Sequence, residues 1–599
     1  GEAMDETLKR ALTYMEEEFY GKYCGQEDST ITCVGHTHID TAWLWTLDDT
    51  RKKVVRSFST ALNLLDHYKG MRFMSSQPQL YQFLKEEYPE VYERIRDYVR
   101  EGRWEAEGAM WVEADTNIPS GESLVRQVAY GKRFFRDEFG VDNKILWLPD
   151  VFGYSACLPQ ILKKCGVDYF MTTKISWNEY NNFPYDTFKW RGLDGSEVLS
   201  HFICSQHIGS SEKEYLTSYN GFLDAPDLMG TWRRYQQKNL NRDVLFAYGF
   251  GDGGGGPTAD MVEQALRFTR GIPGCPKLKM GTPLEYFQKL DAEVSQNKRL
   301  PVWSGELYFE YHRGTYTSIA KIKKHVRKSE ILLQDAEFFN VLRDQLCQQQ
   351  AYPWAELDQA WRLLLLNEFH DIVPGSSIKE VYDESDRQFE KISQMGGDSL
   401  NAALTAICQN LSIKKDSLVV FNGTSMERSD LVEFSTDLEA FEILDGDRSQ
   451  RTAEGMVIFF AGRVPAKGYR TFTLRACDTV PVFESLTAST ERAENAFFRI
   501  AFDANGNIAS LYDKKLCREL AQADQPMNRL VAMEDVPSVD DAWNINAYIN
   551  EKTWTIDEVS SFTVVETGPV RSVVRIQRPF MKSIIQQDFI LYADVARID

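Results

Sequence analysis

The chain has 599 residues, a formal net charge of −20, 43% apolar and 26% charged residues, and 13% aromatic residues including 13 tryptophans. That acidic balance excludes a nucleic-acid-binding footprint, which needs basic groups to displace phosphate counterions, and no run reaches the roughly 18 apolar residues of a membrane-spanning helix. The length calls for roughly three or four domains, and ten scattered cysteines with no C-x-x-C read as reduced thiols of a cytoplasmic protein.

In chain order, GEAMDETLKRALTYMEEEFY predicts an acidic amphipathic helix with no signal-peptide core, setting off residues 1–28. From 29 to 300, short apolar runs alternate with helical patterns: ITCVG, VVRSFSTALNLLDHY, RFMSS, then one long helix through VYERIRDYVREG. WEAEGAMWV, ILWLPD, DYFMTT, VLSHFI and VLFAYGF continue the rhythm, which predicts an α/β domain with a mainly parallel, barrel-like sheet. Such sheets place ligands at the carboxyl ends of their strands.

VWSGELYFEYHRGTYTS reads as strand, and three helices follow, so 301–410 is predicted to be a linker and a three-helix bundle. From 411 to 599 alternating apolar residues and turn signals such as DANGN predict an antiparallel β-sandwich. The sequence stops inside a strand pattern, DFILYADVARID, and the expectation is that this sandwich is incomplete.

Four segments carry chemistry. In GHTHIDTAWLW, an extended backbone would project His36, His38 and Asp40 to one face at a strand end, where two imidazoles and a carboxylate suit Zn²⁺. A pair of core histidines is the alternative. In ILWLPDVFGYS, Asp150 ends an apolar run and is either functional or a helix N-cap. In LLLLNEFHDIVPGSS, His370 and Asp371 end an apolar helix, where a histidine also complements the helix dipole. The fourth, GFGDGGGGPT, contains G-x-G-x-x-G between a strand and a helix. A dinucleotide site would need an acid about 20 residues on. That region is RFTRGIPGCPKLKMGTP, and no P-loop lysine follows the glycines, so the loop reads as clearance around Asp252.

These segments, together with EGAMWVEADTNIPSGESLVRQ, ELYFEYHRGTYTS and VFNGTSMERSD, resemble class II α-mannosidases of glycoside hydrolase family 38, in its bacterial and cytosolic branch, over about residues 30 to 599. The resemblance implies a zinc-dependent retaining exo-α-mannosidase with one Zn²⁺ held by His38, Asp40, Asp150 and His370. It implies Asp150 as nucleophile, Asp252 as acid/base, and Trp43, Phe152, Asp371 and Lys174 as substrate contacts. His36 is then expected to orient a ligand, and the ion to grip two adjacent mannose hydroxyls rather than to activate water. His312, Arg313 and Tyr316 are candidates for a further sugar subsite, with Trp111 and Asp115 supporting the site. The run around Asp252 departs from that of other branches, so the acid/base assignment rests on less. The expected partner is a mannose-containing oligosaccharide, with a homodimer as one oligomeric option. Two rival readings stand beside it: a zinc-dependent carbohydrate deacetylase or amidohydrolase, since such sites also activate water, and a non-catalytic mannose-binding protein.

Overall fold

The computed structural model describes residues 2–24, 27–205, 216–348, 350–414, 417–444, 446, 448–479 and 481–599. The chain folds as two compact units. Unit 1 takes in Gly1–Gln334, Pro353–Asp398 and Pro537–Ile545; unit 2 takes in Asp335–Tyr352, Ser399–Val536 and Asn546–Asp599.

Unit 1 is built on ten strands: β1 (Thr30–His36), β2 (Phe73–Ser75), β3 (Trp104–Ala106), β4 (Ile145–Trp147), β5 (Tyr169–Thr172), β6 (Thr187–Arg191), β7 (Glu197–Phe202), β8 (Asp243–Tyr248), β9 (Lys277–Met280) and β10 (Val302–Ser304). They pair as β3-β2-β1-β8, with β9 also on β1, and as β10-β6-β7-β5-β4. Among these strand pairings of the described residues, only the β6–β7 hairpin is antiparallel. A parallel bridge between Gly108 and Leu146 joins the two runs.

Val34, Met74, Trp147, Met171, Leu199, Leu245 and Ala247, from six strands of both runs, meet in one buried core with Tyr286, Phe287 and Leu290 of the helix Pro283–Val294. Each Val, Leu, Met or Phe among them contributes about 1.5–3 kcal/mol by leaving water, and the shared core ties both strand runs to that helix. Parallel pairing brings the carboxyl ends of β1, β4 and β8 to one edge.

Several sequence expectations are corrected. The long helix after RFMSS is two helices, Pro78–Glu87 and Pro89–Arg100. Pro89 has no N–H to continue the ladder, and it holds Tyr88 outside helical space at φ −137° and ψ 60°. WEAEGAMWV is strand only over Trp104–Ala106, because Gly108 and Ala109 turn the chain with φ of 138° and 66°. VWSGELYFEYHRGTYTS is strand only over Val302–Ser304; Gly305 turns at φ 111° and a 3₁₀ helix covers Glu310–Tyr316. The turn-rich stretch KLKM is β9.

The three helices expected after the strands are Ala320–Leu346, Trp354–Asn367 and Lys379–Asn410. The sheets of unit 2 are antiparallel. Arg428–Phe434, Val457–Val464 and Ser449–Arg451 pair around Val457, Phe459 and Phe472. Strands within 487–519 share a second core, of Ile500, Leu511, Val574 and Leu591, with Arg571–Phe580 and Ser583–Tyr592.

Candidate metal centre and active site

His38 and Asp40 follow β1, Asp150 follows β4, and His370 follows the helix Trp354–Asn367. One ligand atom from each lies within 4.8 Å of all the others. The segment before His370 is fixed by a short antiparallel pairing, with an Ala114–Phe369 bridge and Asp115 N donating to Glu368 O at 2.9 Å.

His370 Nδ1 donates to the Glu113 carbonyl at 2.7 Å. That bond turns Nε2, which is buried and without a geometric hydrogen-bond partner, to within 3.4 Å of Asp40 Oδ1 and 3.7 Å of Asp150 Oδ2. His38 Nε2 lies 2.8 Å from Asp40 Oδ1, and its Nδ1 lies 2.8 Å from Glu113 Oε2. Burial should lower both imidazoles. Instead Glu113 and Asp40 hold His38 well above the ordinary histidine range, and Asp150, Asp40 and Asp371 push His370 up to about 10.

Buried imidazoles that retain protons against burial mark a place that demands positive charge. A divalent ion meets that demand by replacing those protons. Two imidazole nitrogens and two carboxylates suit Zn²⁺, and cobalt or manganese can also use such a set. His36 behaves differently: it accepts from Trp147 Nε1 at 3.1 Å, and burial lowers it to about 3. It is buried, and none of its hydrogen bonds among the described residues reaches a metal-site side chain.

Asp150 and Asp252 line one cavity of about 170 Å³ with Asp40, Trp43, Phe152, Lys174, His312 and Asp371. Lys174 Nζ donates to Asp150 Oδ1 at 2.7 Å. Burial alone would raise Asp150, but Lys174, with His370 and His38, holds it far below the usual carboxylate range. Asp252 accepts from Tyr219 Oη at 2.6 Å, and burial, with Asp40 and Asp150 behind it, raises its pKa. Asp371 is pushed up to about 7 by burial and by Asp40, and Ser376 Oγ donates to its Oδ1.

The glycine-rich loop is tied down. Asp252 O accepts from Asp40 N at 2.8 Å, Phe250 and Gly256 exchange two backbone bonds of 2.9 Å, and Ser57 Oγ accepts from Gly255 N at 2.9 Å. Asp252 itself sits at φ 59°. These bonds fix the backbone that carries Asp252 on both sides of the loop.

His312 reaches the cavity, its ring 4.6 Å from that of Phe152. Arg313 does not line it; its Nε donates to Glu310 O at 3.1 Å. Tyr316 is also absent from the lining. Asp115 accepts from Asn117 N and Ile118 N as a local turn, and Trp111 Nε1 donates to Gln79 Oε1.

Sequence reasoning missed Trp177, Tyr219, Asn220, Asp540 and Trp543 in the cavity wall. The last two come from Pro537–Ile545, a loop embedded in β-rich sequence that belongs to unit 1. Tyr311 Oη donates to Asp540 Oδ2 at 2.6 Å, Gly314 N donates to Trp543 O at 2.9 Å, and the Trp543 ring stacks on His312 at 5.7 Å. A Cβ on Gly314 would stand 2.7 Å from the Trp543 carbonyl, so the HRG turn must be glycine there.

Residues 28–306, 310–407 and 493–599 match, in turn, the glycosyl hydrolases family 38 N-terminal domain, the alpha mannosidase middle domain and the glycosyl hydrolases family 38 C-terminal domain. The chain belongs to glycoside hydrolase family 38. It is 32% identical, over 99% of its length, to alpha-mannosidase G of Dictyostelium discoideum, of which it covers 57%. It is 36% identical, over 89% of its length, to alpha-mannosidase 2C1 of Homo sapiens, of which it covers 49%. The chain thus spans about half the length of these curated relatives. In fold it resembles an alpha-mannosidase from Enterococcus faecalis V583, with a TM-score of 0.75 over 95% of this chain and 73% of that one at 15% identity.

Proposed function

We propose that the protein is a zinc-dependent, retaining exo-α-mannosidase that removes terminal α-mannosyl residues from oligosaccharides. One observation carries this reading: Asp40 and Asp150, the two carboxylates of the His38, Asp40, Asp150, His370 cluster, line a single cavity with Asp252, and Asp150 is held by a lysine. The names of the relatives point to the sugar, and a cavity of about 170 Å³ suits one residue at a chain end. Trp43 Nε1, Trp543 Nε1, His312 Nδ1 and Asn220 Oδ1 are buried without hydrogen-bond partners, as groups that bind sugar hydroxyls would be.

His38, Asp40, Asp150 and His370 would hold the ion, which when bound would supply positive charge beside the sugar hydroxyls. Asp150, kept ionised by Lys174, attacks the anomeric carbon as the bond to the leaving oxygen breaks. Asp252, protonated, gives its proton to that oxygen. As a carboxylate it then takes a proton from water, which attacks the same carbon and releases Asp150. Tyr219 orients Asp252 throughout, and Trp43, Phe152 and Trp543 exclude bulk water from the oxocarbenium-like transition state.

The test is hydrolysis of an aryl α-mannoside followed by NMR, with and without chelator. The expected result is α-mannose as first product, loss of turnover on chelation, and recovery with Zn²⁺. β-Mannose as first product would overturn retention, and an inhibitor complex with the two carboxyl groups at about 6.5–9.5 Å instead of about 5–5.5 Å would do the same. All ten cysteines are unpaired, which supports a reducing compartment such as the cytoplasm. No helix among the described residues is long and apolar enough to cross a membrane.

A further inference from the structure

Glu113 touches both metal-site imidazoles by two different groups. Its backbone carbonyl accepts from His370 Nδ1 at 2.7 Å, and its carboxylate Oε2 stands 2.8 Å from His38 Nδ1. The residue is itself buried and rigidly held. Ser76 Oγ donates to Oε1 at 2.6 Å, and Glu113 N donates to Gln77 Oε1 at 3.2 Å. Gln77 in turn accepts from Thr41 Oγ1 at 3.0 Å and donates from Nε2 to Ile39 O at 3.0 Å, gripping the chain on either side of Asp40. Gln77 adopts φ 62°, a left-handed conformation that a glutamine takes at a cost. That cost is accepted where Gln77 links the segment carrying His38 and Asp40 to the segment carrying Glu113.

We infer that Glu113 is a positioning residue that fixes the orientation of both metal-ligating histidines at once, with Ser76 and Gln77 as its support. His370 Nδ1 donates to the Glu113 carbonyl and His38 Nδ1 lies against its carboxylate, so both rings are held with Nε2 turned into the ligand cluster. The carboxylate also makes the His38 imidazole a stronger donor to a cation. Because Glu113 lies outside the cavity wall, it acts on the sugar only through the ion. The inference rests on the metal-centre reading above.

The experiment compares zinc dissociation constants of metal-stripped wild type, Glu113→Gln and Ser76→Ala, measured by competition with a chromophoric chelator. Melting of each metal-free protein and the visible spectrum of each Co²⁺-loaded protein accompany it. Glu113→Gln keeps size and removes charge, and is expected to weaken zinc binding by about 10–100-fold, to change the Co²⁺ spectrum, and to regain turnover at high zinc. Ser76→Ala keeps the charge and loosens the carboxylate, so it should weaken binding in the same direction by less. Zinc affinity of Glu113→Gln within about twofold of wild type overturns the inference, as does weaker binding accompanied by collapse of the metal-free fold in both variants. A wild type that takes up no zinc overturns the metal-centre reading itself, a separate outcome.

Discussion

Asp150 and Asp252 are the same residue type in the same topological place, a few residues past the carboxyl end of a parallel strand, β4 in one case and β8 in the other. Their surroundings drive them apart. Asp150 has Lys174 Nζ at 2.7 Å and two histidines nearby, and is held ionised. Asp252 has a phenol at 2.6 Å, and burial with the carboxylates of Asp40 and Asp150 outweighs His38, so that its proton is retained more tightly than usual. Two carboxyl groups whose environments separate their affinities for protons is the arrangement that lets one serve as nucleophile and the other as acid. The difference comes from what each strand end meets, not from the strand ends themselves.

The comparison breaks hardest at Asp150. On the proposed mechanism Asp150→Ala removes nucleophile and metal ligand together, and kcat/KM for an aryl α-mannoside should fall by about 10⁴-fold or more, with zinc content reduced in elemental analysis. If Asp150→Ala kept both activity and metal, the division of roles would fail outright. Asp252→Asn should cost about 10²–10⁴-fold in kcat while retaining a full complement of zinc. The loss should shrink for substrates whose leaving group needs no proton, such as a dinitrophenyl mannoside; a uniform loss across leaving groups would remove Asp252 from the acid role. Lys174→Met tests the contrast from the other side. It deletes a charge-assisted bond worth about 1.5–3 kcal/mol, so kcat should drop by about 10–100-fold, with the leaving-group dependence left as in wild type.

How much of this was legible in the sequence divides by distance along the chain. His38 with Asp40, Asp150, and His370 with Asp371 each stand at the end of an apolar run, so local pattern and resemblance sufficed, and the structure brings them together. Glu113 also lay within a motif that carried the resemblance, yet nothing local shows that its carbonyl and its carboxylate serve two different histidines. Asp540 and Trp543 were invisible for a stronger reason. They sit in VPSVDDAWNINAY, amid sequence of β texture, and only chain topology returns Pro537–Ile545 to unit 1. His36 was over-read from periodicity: the chain leaves the strand after it, and Trp147 takes its ring nitrogen. The helix break at Pro89 was the reverse case, a local signal outweighed by a long amphipathic pattern.

The smallest expected effect sharpens the comparison most, because it asks what the glycines around Asp252 are for. If they supply flexibility, alanine at any of them should act alike. If they supply clearance, position decides. Gly254 has φ 83°, and a Cβ there would stand 2.4 Å from Ser57 Oγ, an atom already engaged by Gly255 N at 2.9 Å and by Lys53 O at 2.7 Å. Ser57 cannot yield without breaking the loop, so Gly254→Ala should cost about 1–2 kcal/mol of stability from the backbone alone. By displacing Asp252 it should also lower kcat by about 10–100-fold. At Gly253 no left-handed φ is needed, and the nearest atom to a Cβ is Lys53 Nζ at 3.3 Å, the far end of a flexible side chain. Gly253→Ala should therefore leave melting temperature and kcat close to wild type, although it is the residue directly following Asp252. Equal losses at the two positions would show that Asp252 depends on a mobile loop rather than on a fitted one.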